Sequence, residues 1–164
     1  MPEIVQLLVS PVHRYEGRPA DGPRPAPPGE LVEVAHFRAG LGIVGDRYFG
    51  KPAHRAASVT VIAQESLPAG ADLVQVRRNI LVSGIDVDAL IGSVLSLDSG
   101  DGPVDLQVRR PANPCAWMDV VIGPGTRKAL RGKGGARCVP LNDGILRIGP
   151  VKVTISPGDP GSQR

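Results

Sequence analysis

Glycine and proline interrupt this chain so often that no long helix can form in it: they supply 21 and 17 of its 164 residues. In a helix interior glycine costs about 1 kcal/mol and proline about 3, so whatever forms between them must be short. The intervening runs are apolar or alternating and rich in β-branched residues, a pattern of strands. The spacing predicts strands over Ile4 to Ser10, Leu31 to Phe37, Ser58 to Ala63, Asn79 to Val82 and Ser93 to Leu97. Further strands are expected over Val104 to Val108, Cys138 to Leu141, Ile145 to Ile148 and Val151 to Ile155. Helical signal is confined to single turns at Asp86 to Ile91, with Asp86 as cap, and at Gly125 to Leu130, with Thr126 near its start. The expected fold is mainly β, a closed or nearly closed β-barrel with a few short helices.

One domain over residues 1–156 suffices for a chain of this length. The prolines of Arg18 to Gly29 forbid both helix and central strand, which predicts an exposed loop, and the 157–164 tail is expected to fray. No apolar run approaches the ~20 residues that a membrane span needs. The start, MPEIVQLLVS, lacks a basic segment followed by a long apolar one. A soluble, cytoplasmic protein without membrane partners is the expectation.

Two cysteines, Cys115 and Cys138, are too few for the disulfide framework of a small secreted domain. His13, His36 and His54 are scattered, and no C-x-x-C occurs, so a zinc site is not expected. The net charge of +3 and pI ≈ 9.2 suit a small anionic ligand. With aromatics at 3% the chain has no stacking platform for single-stranded nucleic acid, and no nucleic-acid partner is expected.

Four segments concentrate chemistry. Gly40-Leu41-Gly42-Ile43-Val44-Gly45-Asp46-Arg47-Tyr48 combines tight-turning glycines with an adjacent acceptor and planar cation. Asp46 and Arg47 either form a pocket or only pair with neighbours at a rigid corner. Arg77-Arg78-Asn79 opens an apolar strand. Guanidinium groups there suit phosphate, through two parallel charge-assisted bonds, unless the segment is an ordinary solvated strand end. In Arg109-Arg110-Pro111-Ala112-Asn113-Pro114-Cys115 two prolines fix a loop. The arginines would there favour the Cys115 thiolate, the form that binds metal or attacks sulfur; the alternative is an inert buried cysteine. Gly132-Lys133-Gly134-Gly135 is either an anion-binding nest assisted by Lys133 or a flexible turn, and it lacks P-loop spacing. Cys138 sits in an apolar strand and reads as core.

The Gly-rich segment ending Asp46-Arg47-Tyr48 resembles the G-x-x-x-D-R-H/Y signature of MOSC domains, the β-rich module of molybdenum-cofactor sulfurases. Arg77-x-Asn79 is similar to that family's motif before an apolar strand, and Pro114-Cys115 to the loop bearing its characteristic cysteine. Gly144 to Val153 resembles the closing strand pair, with Pro150 where the family usually has aspartate. The likeness runs from about Ile4 to Ile155 and implies a stand-alone small member. It implies molybdenum cofactor (molybdopterin) as ligand, with Cys115 as metal ligand or as carrier of a persulfide. Asp46, Arg47, Arg77 and Asn79 would be cofactor-binding, and a redox or sulfur-donor protein would be a partner. The family is also linked with pyridoxal phosphate, but no lysine here sits where a Schiff base would be expected. Whether the protein is an enzyme, a molybdenum-dependent oxidoreductase or sulfur-transfer protein, stays open beside a non-catalytic β-barrel that binds an anionic ligand or partner.

Overall fold

Val59-Thr60-Val61-Ile62-Ala63 is buried at every position, and this explains why it reads as a continuous apolar run. It is strand β5 (Val59–Ala63) of a computed structural model that describes residues 1–158. Before it come β1 (Glu3–Leu8), β2 (Leu31–Val32), β3 (Val34–Arg38) and β4 (Gly42–Ile43). After it come α1 (Leu73–Val76), β6 (Ile80–Ser83), β7 (Ser93–Asp98), β8 (Pro103–Pro111), α2 (Trp117–Val121) and α3 (Thr126–Ala129). The described chain ends with β9 (Ala136–Pro140), β10 (Gly144–Arg147), β11 (Gly149–Pro150) and β12 (Lys152–Pro157). The fold is mainly β, as expected.

The main sheet runs β11-β1-β6-β5-β9-β8-β7-β12, with β2 added beside β1, and a second sheet runs β10-β3-β4. Among the described residues no ladder joins β11 to β12, and no hydrogen-bonded strand pair closes the barrel. The chain nevertheless passes from one to the other through buried Val151 alone. The two ends of the strand path therefore meet, and the sheet is barrel-like.

β5 and β6 are parallel, which requires a crossover, and that crossover contains α1. Alternation then assigns the faces. Val59, Val61, Ala63, Ile80 and Val82 join the main core with Ile4, Leu7, Phe37, Leu95, Leu106 and Leu146. Ile62 and Leu81 point the other way, into a second cluster with Leu73 and Val76 of α1, Met118 of α2, and Leu130. The helices thus cover the outer face of the two central strands.

Several local expectations are corrected. The run Leu31 to Phe37 breaks at Glu33, and its halves pair in different sheets, β2 with β1 and β3 with β10 and β4. Asp86 precedes a single turn over Val87–Leu90 but makes no side-chain capping bond. α1 is held by a capping box, in which the Asp72 carboxylate accepts from Gln75 N–H and the Gln75 side chain accepts from Asp72 N–H. The glycine run before β9 is packed at Gly135 rather than loose: a Cβ there would lie 2.1 Å from the Val61 carbonyl oxygen, and its N–H donates to Asp88. Most of the proline-rich loop is exposed, and the 157–164 tail lies outside the described residues from residue 159 onward. Among the described residues no helix is long and apolar enough to cross a membrane.

Candidate functional site

Five separate stretches of chain converge on one cavity of about 200 Å³. Its wall is formed by His13, Arg14 and Tyr15 after β1, Arg47 and Tyr48 after β4, and Val76, Arg77 and Arg78 at the end of α1. Asn113, Cys115 and Trp117 from the segment between β8 and α2, and Arg137 of β9, complete it. Five of these twelve residues are arginines and none is an aspartate or glutamate.

The floor beneath the cavity is a buried polar network. The Asp46 carboxylate accepts from Ser10 N–H at 3.1 Å, from the Asn79 amide at 3.2 Å and from the Arg47 guanidinium at 3.2 Å. Arg47 donates on to the Arg77 carbonyl, and its guanidinium carbon lies 4.5 Å from the centre of the Tyr48 ring, a cation–π contact. Asn79 is fully buried. Its oxygen accepts from the Thr60 N–H and hydroxyl, and its nitrogen donates to the Leu8 carbonyl and to Asp46. Both donors and both lone pairs are then in use, leaving nothing for a ligand. Asp46 touches a neighbouring cavity beside Pro11, Phe49 and Lys51, while Arg47, Arg77 and Cys115 line the arginine-rich one.

Arg77 and Arg78 do not open a strand, as the sequence suggested. Arg77 caps α1 in the left-handed conformation, φ 58°, where the other positive-φ residues among those described are glycines. That bend sends the two side chains into different partners. Arg77 pairs with Glu30 at 2.7 Å and donates to the Val12 carbonyl; its buried Nε has no partner. Arg78 donates to four carbonyls, of Gly134, Val76, Ala112 and Asn113. Two of these belong to the loop that carries Cys115, so Arg78 fixes that loop from beneath. Burial, helped by the nearby Arg137 charge, draws the Arg78 pKa down to about 10. Burial likewise lowers the Arg77 pKa, against the hydrogen bond that Arg77 donates to Glu30, which raises it.

The two thiols separate as their settings dictate. Cys138 is fully buried on β9, and burial pushes its pKa up to about 12. Cys115 is half-buried and lines the cavity just before α2. Arg109 and Arg110, expected beside it, do not line the cavity; Arg110 is exposed. Arg14 and Arg137 were not singled out from the sequence as ligand-facing residues, nor were Tyr15 and Trp117. Tyr15 stacks on Trp117 with ring centres 5.1 Å apart and planes 8° from parallel, and burial raises the Tyr15 pKa to about 12. Tyr48 packs between His13 and His54, whose ring centres lie 5.4 Å and 4.5 Å away.

No family model and no curated protein matches the chain. Solved structures do. The YuaD protein from Bacillus subtilis matches over 97% of this chain and 98% of its own, with a TM-score of 0.67 at 16% identity. The chain has the YuaD fold. YiiM from Escherichia coli matches over 94% of this chain and 70% of its own, with a TM-score of 0.57 at 15% identity. YiiM from Geobacillus stearothermophilus gives 0.56 at 16% identity, over 94% and 75%. At such identities the YuaD and YiiM likeness carries the fold, and the chemistry rests on the cavity.

Proposed function

We propose that this protein is a MOSC-type module whose arginine-lined cavity binds an anionic cofactor or ligand and uses Cys115 as its reactive group. The carrying observation is a half-buried thiol and five arginines on one wall that has no carboxylate. The fold shared with YuaD and YiiM supports this reading, as do the Asp46-Arg47 and Pro114-Cys115 segments.

The donor set fits the molybdenum cofactor. Among the described residues no three histidine, cysteine, aspartate or glutamate side chains gather to hold a bare ion. A single soft thiolate instead suits a metal that arrives with its own chelate. When bound, such a cofactor would supply molybdenum redox chemistry at the thiol. Cys115 would be the protein ligand, and the arginines would hold the anionic end. The cavity, at about 200 Å³, is smaller than the ~300–1,000 Å³ of ordinary ligand sites, which fits one anionic end of a larger molecule. Asp46 and Asn79 would act from behind, by holding Arg47 and the β1 backbone in place.

The same thiol would serve sulfur transfer. A persulfide on Cys115 would be attacked at its outer sulfur by an acceptor thiolate. The new S–S bond forms as the Cys115 thiolate leaves. Cationic walls favour both anions. A second, non-catalytic reading draws on Arg47, Arg77 and Arg78, whose guanidinium groups are largely committed to protein acceptors. On it the cavity only retains an anion.

Protein made in a host that synthesises the cofactor decides among these. Molybdenum and pterin near one per chain, lost in Cys115→Ser, supports the cofactor reading. Cyanide-labile sulfur on Cys115 without molybdenum supports sulfur carriage. If neither is found, the catalytic reading fails and anion retention stands.

A further inference from the structure

Four of the five cavity arginines are committed to the protein. Arg14 donates to the Arg24 and Val74 carbonyls, and Arg47 to Asp46 and the Arg77 carbonyl. Arg77 donates to Glu30 and Val12, and Arg78 to four carbonyls. Arg137 differs. It is half-buried on β9, and its guanidinium makes no hydrogen bond or ion pair with a described residue.

Its surroundings deepen the imbalance. Arg110 is its cross-strand partner in the β8–β9 ladder, and no acidic side chain lines the cavity. A cation held there without a counter-charge has the planar, two-pronged donor geometry that matches a phosphate oxygen pair. We propose that Arg137 is the ligand-facing cation of the cavity and that it grips a phosphate-type oxyanion beside the Cys115 thiol. The chemistry is that of inorganic phosphate or of a phosphate monoester at the end of a larger ligand. This reassigns the anion contact from Arg77 and Asn79, whose groups are largely engaged within the fold. It rests on the reading of the cavity as an anion site, and not on molybdenum or persulfide chemistry.

His54 reports on the same charge. Its imidazolium is disfavoured first by burial and then by Arg137, with His13, Arg110 and Arg47 adding to the repulsion. An oxyanion on Arg137 would relieve that repulsion and raise the His54 pKa.

Titration calorimetry of cofactor-free protein with inorganic phosphate, and separately with phenyl phosphate, tests the proposal. Wild type and Arg131→Gln, which removes an exposed arginine outside the cavity, are expected to bind alike. Arg137→Gln should weaken binding by about 10–100-fold, the loss of one charge-assisted pair, with Arg137→Lys in between. Tighter binding of phenyl phosphate would mark a monoester site, and equal binding a site for the free anion. Should Arg137→Gln not fold, phenylglyoxal labelling of wild type reads the same contact, since phosphate must protect Arg137. Arg137→Gln binding like wild type, no binding by wild type, or labelling of Arg137 unaffected by phosphate would each overturn it. Phosphate binding in a protein that carries neither molybdenum nor labile sulfur would leave this site standing while the catalytic reading falls.

Discussion

Arg78→Met keeps an unbranched stem in place and removes every donor from beneath the Cys115 loop. Four carbonyls, of Gly134, Val76, Ala112 and Asn113, then lose a charged partner at 3.0–3.3 Å. At the lower end of about 1.5 kcal/mol for each charged donation, those bonds contribute about 6 kcal/mol. Burial opposes them. It draws the Arg78 pKa from 12.5 to about 10, a cost of about 3 kcal/mol at 1.36 kcal/mol per tenfold. The expected net loss is about 3 kcal/mol, or a fall in Tm of about 6–12 °C for a chain of this size. Urea unfolding measures the first, and amide exchange locates it. The Ala112 amide, bonded to the Gly135 carbonyl, and the Met118 amide, bonded to the Cys115 carbonyl, should exchange faster. A loss below about 1 kcal/mol with unchanged exchange at Ala112 and Met118 would refute the idea that Arg78 fixes this loop.

Asp46→Ala strands Arg47 in a floor where the two side chains are 0% and 3% exposed; a loss of about 3–5 kcal/mol in urea unfolding is expected. Gly135→Ala drives a Cβ to 2.1 Å from the Val61 oxygen at φ +90°, whereas Gly132→Ala, at φ +76°, meets nothing within 4 Å. The first should be expelled from the soluble fraction or melt far lower, and the second should cost only about 1 kcal/mol by thermal melting. The Cys138 thiol stays protonated in the fold, with its pKa raised from 9.0 to about 12, while the unfolded chain ionises. Its contribution is therefore full below about pH 9 and is lost as pH rises towards 12, some 1.4 kcal/mol by pH 10. Stability curves of wild type and Cys138→Ala should converge along that slope, and parallel curves would contradict it.

The strands were legible because their burial is one- or two-sided and the residues say so: Val59–Ala63 has no polar face to hide, and Ser93–Asp98 alternates. The break at Glu33 was not, since alternation continues across it and only tertiary pairing divides β2 from β3. α1 did carry a readable signal, Asp72-x-x-Gln75, but four residues are too few for a helical period to show. α2 is hidden for the same reason, in five residues. At the cavity, Arg47, Arg77 and Cys115 drew notice through unusual local contexts. The role of Arg78 beneath the Cys115 loop was not legible, because its acceptors include carbonyls 34, 35 and 56 residues away. Arg137 was concealed by its strand, where a lone arginine looks like an ordinary solvent-facing charge.

The partners of these side chains divide the site into a frame and a working face. Glu30, Asp46, Arg47, Arg77, Arg78 and Asn79 are all buried, a costly arrangement unless nearly every polar atom is matched. It is nearly matched: Glu30 Oε2, Arg77 Nε and Ser58 Oγ are the buried side-chain atoms without a partner among the described residues. Such a network has little freedom to rearrange, because moving one member leaves its neighbours unpaired in a low-dielectric interior. The groups it leaves open to the cavity are of another kind. Arg137 contributes a guanidinium without an acceptor among the described residues, and Cys115 a half-exposed thiol on a loop clamped by Arg78. On the proposed reading, a cation and a soft nucleophile on one wall suit an anionic ligand with a reactive end. On that reading the buried charges support those two groups, and the arginine count of the cavity overstates how many guanidinium groups are free to meet an anion.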